Sequence, residues 1–279
     1  MTSVFLRFPN GKAKALTLSY DDGVEQDIRL LNIMNRHGLK GTFNLNSGLY
    51  APEGTVYPAD RIHRRMTMSK STEVYLNSGH EVAVHTLTHP YLDRLPSDRV
   101  VYEVMKDREN LEKQFGVIVK GMAYPYGNTS DQAVEAIKSC GIVYARTTVS
   151  TNTFDIPTDW LRMPTTCYHR SPALRKLTTT FLKECTDNRP YLFSLWGHSY
   201  DFDTNDSWHD IEVFAEQVGN RDDIWYATNM EIYEYVQDYN RLNFSVDGTL
   251  VQNPTGRTIW LFVNGKTLSV DPGKMIRIE

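Results

Sequence analysis

Short apolar runs alternate with longer amphipathic ones along the first 240 or so residues. Ala15-Leu16-Thr17-Leu18-Ser19-Tyr20 has the continuous apolar character of a buried strand and stops at Asp21-Asp22-Gly23. Val24 to His37 then places Ile28, Leu31 and Met34 at helical spacing, with Gly38 as the stop. A second strand is expected at Gly41 to Asn46. It is followed by an insertion rich in Pro, Gly and Tyr from Ser47 to about Met68, long enough to suggest a functional loop. A helix from Ser69 to Asn77 leads to the strand Glu81 to Val84, which runs into His85, and Ser97 is placed to cap a long helix reaching Phe115. The alternation continues with strands at Lys120 to Tyr124, Ile142 to Arg146, Tyr191 to Trp196 and Ile224 to Thr228. The helices begin near Ser130, Ser171, Ser207 and Asn229.

Seven strand-then-helix units predict an α/β fold, and the preferred architecture is a distorted parallel β/α barrel one strand short of eight. After Asn240 the pattern changes. Val246-Asp247-Gly248-Thr249 and Val263-Asn264-Gly265-Lys266 are hairpin turns between alternating strands. The expected organisation is a catalytic barrel over 1–240 and a small antiparallel β appendage over 241–279, too short to stand alone.

Composition narrows the function classes. The 279 residues are 41% hydrophobic and 23% charged, with a net charge of -4 and an isoelectric point near 6.1. A partner with a phosphate backbone would call for a basic face, so nucleic acid is not expected. No stretch has the length and apolarity of a membrane span. Three cysteines, Cys140, Cys167 and Cys185, read as reduced thiols in or near the core. With no leader-like apolar run at Met1 to Gly11, the expected location is cytoplasmic.

Parallel α/β folds collect their chemistry where strands end. Asp21 and Asp22 follow the first strand, His85 the third with His89 beyond it, Tyr124-Pro125-Tyr126-Gly127 the fourth and His198 the sixth. All would share one mouth. Alone, His85-Thr86-Leu87-Thr88-His89 is a weak signal, more often a surface turn than a ligand pair, although histidines four apart can face one way across a helical turn. Likewise, Asp21-Asp22 alone is as readily a helix cap with a favourable first-turn acid. Together they suggest two nitrogens and one oxygen around a cation with an open position. One aspartate then binds the metal and the other takes a proton from the water it activates.

Ser19-Tyr20-Asp21-Asp22-Gly23 and His85-Thr86-Leu87-Thr88-His89 resemble the first two motifs of the polysaccharide deacetylases (carbohydrate esterase family 4), and the resemblance runs from about Leu16 to Met230. It implies a distorted seven-stranded β/α barrel, Asp21 as catalytic base, and Asp22, His85 and His89 as metal ligands. Trp196-Gly197-His198 is similar to the last motif, whose histidine protonates the leaving amine. Ala123-Tyr124-Pro125-Tyr126-Gly127 is similar to the third, where the backbone N–H after the proline, here that of Tyr126, helps hold the oxyanion.

Some positions depart from the pattern. Ala123 stands where an arginine usually braces the base, and Arg162 is the candidate replacement. Asp155-Ile156-Pro157-Thr158-Asp159-Trp160 is one residue longer than the fourth motif, so either Asp155 or Asp159 would tune His198. Trp160 would wall the acetyl pocket or serve as a core tryptophan, and Trp196, in place of leucine, would narrow that pocket. His169 is within reach of the mouth from the loop after the fifth strand, and Asp201 and Asp203 would bind sugar hydroxyls or simply face water. Trp208 and His209 open a helix on which Trp208 could stack a sugar; none of these carries an assignment alone.

The resemblance implies removal of acetyl groups from an N-acetylated sugar or oligosaccharide with a divalent metal. Zinc is expected from the ligand set, with cobalt, nickel or manganese as substitutes. An esterase or another non-peptide amide hydrolase would use the same site. A catalytically weakened carbohydrate-binding protein would explain Ala123.

Overall fold

All eight residues of Lys14–Asp21 are buried, as a strand covered on both faces must be, and this strand organises the sheet around it. The computed structural model describes residues 3–183 and 189–278, so Cys185 lies outside the described residues. In chain order the strands are β1 (Val4–Arg7), β2 (Lys14–Asp21), β3 (Gly41–Leu45), β4 (Glu81–Val84), β5 (Gly121–Ala123), β6 (Tyr144–Ser150), β7 (Met163–Thr165), β8 (Cys167–Tyr168), β9 (Tyr191–Gly197) and β10 (Ile224–Tyr226). They are followed by β11 (Asn243–Phe244), β12 (Leu250–Gln252), β13 (Ile259–Val263), β14 (Lys266–Val270) and β15 (Met275–Arg277). The helices are α1 (Asp27–Arg36), α2 (Met68–Tyr75), α3 (Ser97–Phe115), α4 (Asp131–Ser139), α5 (Leu174–Lys183), α6 (Tyr200–Thr204), α7 (Trp208–Val218) and α8 (Asn229–Asn240). None of the described helices is long and apolar enough to cross a membrane.

Pairing in the main sheet runs β7-β6-β5-β4-β3-β2-β9-β8, all parallel. Between β7 and β8 stands one residue, Thr166, whose N–H donates to Ser194 O at 2.9 Å. The two pieces therefore act as one strand, with β6 on one side and β9 on the other. Counted this way the ring has seven members and is closed, and a register shift between Arg146 and Ser150 marks its distortion.

The seven-stranded barrel matches the expectation, but its membership does not. β10, expected as the seventh strand, pairs with the first residues of β2, Lys14–Leu16, and lies off the ring. Its place is taken by 163–168, which the sequence left in a loop. That segment contains a proline and adjacent threonines, so it lacks the apolar run by which a buried strand is read.

Local capping explains several helix starts. Thr67 accepts from Lys70 N–H at α2, Ser130 accepts from Ala133 N–H at α4, and Thr228 forms a capping box with Glu231 at α8. α3 starts directly after Pro96, and Ser97 is its first residue rather than its cap.

Leu16, Leu18, Phe43, Leu45 and Val84 pack against helix residues such as Leu30, Met34, Val104 and Phe214 in the main core. A second cluster, at the start of β2 and β9, joins Ala15 and Leu192 to Leu6, Ile232, Tyr235, Leu261 and Val263. It forms where residues 241–279 meet the barrel floor. There β13 pairs antiparallel with β14 and also with β1, so both ends of the chain share one sheet. The β13–β14 turn is Asn264-Gly265, with φ of 51° and 78°, as a two-residue hairpin of the mirror-image type requires. β11, β12 and β15 form the remaining antiparallel sheet.

Candidate metal centre and active site

The strand ends of β2, β4, β5 and β9 converge at the mouth opposite that floor. Asp22 follows β2 with φ of 86°, and its N–H donates to Asn44 O at 3.0 Å. This left-handed residue breaks the alternation of the strand, so both Asp21 Oδ2 and Asp22 Oδ1 stand 4.0 Å from His85 Nε2. His89 Nε2 lies 3.8 Å from Asp22 Oδ1. Asp22, His85 and His89 each offer one ligand atom within 4.8 Å of the others.

The His85–His89 segment is not the helical turn expected. Thr86 and His89 have φ of 66° and 59°, a costly conformation for residues with a Cβ. Neighbouring groups hold it. Asn46 Nδ2 donates to Thr86 O at 2.9 Å, and Glu103 of α3 accepts from both Thr88 N–H and Thr88 Oγ1 at 2.8 Å. One helical turn on, buried Asp107 accepts from His85 N–H at 3.1 Å and Ser47 N–H at 2.7 Å.

The donor set fits a divalent cation. Because His85 Nδ1 faces the carbonyl of Ala123 at 2.9 Å, Nδ1 carries the proton and Nε2 keeps its lone pair for the cluster. Burial pushes the His85 pKa down against the pull of Asp21 and Asp22, and burial together with His85 pushes that of His89 down to about 4. Both rings are thus neutral, the form in which an imidazole can take a metal. Burial would raise the Asp22 carboxyl, but His63 and Arg65, followed by His85 and His198, hold it well below the usual carboxylate range. Two imidazole nitrogens and one carboxylate oxygen suit zinc and its neighbours.

Asp21 is braced by Arg146. The guanidinium, fully buried, donates through Nη2 to both Asp21 oxygens and through Nε to Ser19 Oγ at 3.2 Å. Asn44 Nδ2 adds a bond to Oδ1 at 2.8 Å. Burial favours the neutral acid, yet Arg146, with His85 and His198, keeps the Asp21 pKa below its ordinary value. This corrects the expectation for Arg162, which pairs instead with Asp131 at 2.5 Å and Asp159 at 3.2 Å. Arg146 is the register partner of Ala123 on the adjacent strand, so it rises beside the position where a β5 arginine would stand.

His198 follows β9, with Nε2 at 4.0 Å from Asp21 Oδ2 and Nδ1 at 3.2 Å from Asp201 Oδ2. Burial alone would lower its pKa. Asp201, then Asp21 and Asp22, outweigh burial and raise it above its ordinary value. Asp201 is itself held ionised against burial by His169, His198 and Tyr168. Tyr168 O–H donates to the same oxygen at 2.5 Å, and His169 Nε2 faces it at 3.5 Å. Tyr20 O–H lies 3.1 Å from His169 Nδ1, so donation to that nitrogen leaves the His169 proton on the Asp201 side. A Cβ on Gly197 would meet His169 Nδ1 at 2.3 Å, so the glycine before His198 is needed for this packing.

The tuning role expected of Asp155 or Asp159 thus falls to Asp201. Leu192 N–H donates to Phe154 O at 2.8 Å, which brings the chain after β6 back to the barrel floor. There Asp155 is exposed, 3.7 Å from Arg189, and Asp159 accepts from Leu161 N–H at 3.1 Å. Trp160 meets Tyr233 of α8 edge-on, with ring centroids 5.3 Å apart, and packs on the floor cluster, so it does not wall the mouth. Trp196 does belong to the mouth: its ring lies 4.8 Å beneath the Arg146 guanidinium and 5.7 Å from His198. Tyr126 is on the rim, with φ of 59°, its ring stacked on Tyr91 at 3.8 Å and meeting the His89 ring at 4.6 Å.

The groups missed from the sequence are Arg146, Arg65, Asp201, and the α3 pair Glu103 and Asp107. Asp201 was within reach, because it lies three residues after His198 at the start of a short helix. Glu103 and Asp107 share one face of α3, a weak signal in so charged a helix.

Residues 9–145, just under half of the chain, match the polysaccharide deacetylase family. Peptidoglycan-N-acetylglucosamine deacetylase PgdA of Listeria monocytogenes is 27% identical over 127 residues, which is 44% of this chain and 24% of that relative. The match therefore spans about a quarter of the relative's length. Solved structures share the fold. A candidate polysaccharide deacetylase from Mycobacterium smegmatis superposes with a TM-score of 0.59 at 17% identity, covering 84% of this chain and 94% of its own. The Xyl-CE4 domain of a multidomain xylanase from the hindgut metagenome of Trinervitermes trinervoides gives 0.55 at 16% identity, covering 80% and 92%. A family 4 acetyl xylan esterase from Clostridium thermocellum, in complex with a cobalt ion, gives 0.53 at 14%, covering 79% and 90%.

Proposed function

We propose that this chain is a metal-dependent hydrolase that removes the acetyl group from an N-acetylated sugar or oligosaccharide. The observation that carries the reading is the placement of Asp21 and His198 on one mouth, 4.0 Å apart, beside the Asp22–His85–His89 cluster. Asp22, His85 and His89 would hold the cation, which when bound polarises the acetyl carbonyl and acidifies water. Asp21, ionised beside Arg146, accepts the proton that water loses as it adds to the carbonyl. His198, its Nδ1 fixed on Asp201, gives a proton to the amine as the C–N bond breaks, releasing acetate and the free amino sugar. The backbone N–H of Tyr126 serves the oxyanion, and Trp196 limits the pocket to a small acyl group. Similarity to a peptidoglycan deacetylase supports an amide substrate.

Ala123 was the main reason to consider a silent binding protein. With Arg146 on Asp21 that reason falls away, and a base and an acid on one mouth support catalysis. The test is acetate release from N-acetylated mono- and oligosaccharides and from acetylated xylan, with zinc-loaded and metal-stripped protein. Zinc-dependent release from the amides, lost in Asp21→Asn, is the expected result. Release from xylan esters alone would move the assignment to an esterase, and none from either would overturn the hydrolase.

A further inference from the structure

The end of the insertion is laced to the loop after β2. Glu25 N–H donates to Arg64 O at 2.8 Å, Met66 N–H donates to Gly23 O at 3.1 Å, and Arg64 pairs with Glu25 at 2.8 Å. The lacing aims the next residue, Arg65, at a metal ligand. Arg65 Nη2 donates to Asp22 Oδ1 at 2.8 Å, while Nη1 donates to the Asp22 carbonyl and to Asn46 Oδ1 at 2.7 Å. The side chain is mostly buried, at 15% exposure. His63, from the same segment, stands 3.7 Å from Asp22 Oδ2.

Asp22 Oδ1 is also the oxygen that His85 Nε2 and His89 Nε2 face, at 4.0 Å and 3.8 Å. One carboxylate oxygen thus serves both a resident guanidinium and the ligand cluster. A divalent cation seated there shares that oxygen with a second positive charge, in a place where water and salt screen little. Without the cation, Arg65 spares Asp22 the cost of a buried unpaired carboxylate next to Asp21.

We infer that Arg65 is a built-in competitor for the metal: it satisfies Asp22 when no ion is bound and lowers the affinity with which the centre takes one. The inference rests on the reading of Asp22, His85 and His89 as metal ligands, and it gives the 47–68 insertion a role in metal exchange.

The zinc dissociation constant, measured on the full chain by competition with a chromophoric chelator, tests it without reference to activity. Arg65→Met and Arg65→Gln, which remove the charge, should bind zinc about tenfold more tightly or better. Arg65→Lys, which restores a cation, should return toward the wild-type value. Lys70→Met, which removes an exposed charge paired with Glu73 and away from Asp22, should match the wild type. Zinc should also raise the melting temperature more in Arg65→Gln than in the wild type, because its zinc-free form has lost a partner. Wild-type zinc uptake with no gain in either uncharged variant overturns the inference alone. Failure of the wild type to take up zinc overturns the metal centre and the inference together.

Discussion

Asp21 and Asp22 are chain neighbours with the same side chain, and their surroundings set them apart. Asp22 Oδ1 faces two neutral imidazoles, whereas Asp21 is gripped by a buried guanidinium. Asp22→Ala or His85→Ala should therefore abolish zinc retention, and stoichiometric zinc in either would rule out the ligand assignment. Arg146 lowers the Asp21 pKa against burial, so Arg146→Met should let burial win and raise it. The acidic limb of the kcat/KM profile then moves to higher pH, and stability falls by about 3–5 kcal/mol as the buried pair is broken. Arg162→Met, at an exposed pair, should leave the limb in place. His198 carries the opposite sign: Asp201 raises its pKa, so Asp201→Asn should lower it and bring the basic limb to lower pH. A limb that stays in place in Asp201→Asn would remove Asp201 from the acid's surroundings.

At the scale of elements, the mouth depends on α3 as much as on any strand. The turn carrying His85 and His89 includes two left-handed residues, and Glu103 and Asp107 accept three of its backbone and hydroxyl donors at separations of 2.8–3.1 Å. Glu103→Ala should weaken zinc binding by roughly 10–100-fold, the range found when groups that orient metal ligands are removed. Circular dichroism of the helices should be unchanged in that variant. Zinc affinity equal to wild type would mean that the turn holds its shape without α3.

Across the whole molecule, β1 pairs with β13, so the ends of the chain seal the barrel floor, far from the chemistry. Leu261 of β13 is fully buried and is the register partner of Leu6. Leu261→Ala should cost about 2–5 kcal/mol in urea unfolding while leaving turnover of the folded enzyme near wild type. One cooperative transition is expected. An early separate transition would mark 241–279 as an independent unit, contrary to the shared cluster of Leu6, Ile232 and Leu261.

The local sequence determined the strand-end placement of Asp21, Asp22, His85, His89 and His198, because apolar runs and short spacings are properties of neighbouring residues. It also determined the β/α alternation and the Asn264-Gly265 turn. Tertiary structure decided which strands close the ring, since 163–168 becomes a strand by pairing on both sides rather than by its own pattern. It decided the electrostatic partners too. Arg146 and Asp21 are 125 positions apart, and Arg65 and Asp22 are 43 apart. Only strand register and the fold of the insertion bring those charges into contact, and no local pattern encodes either.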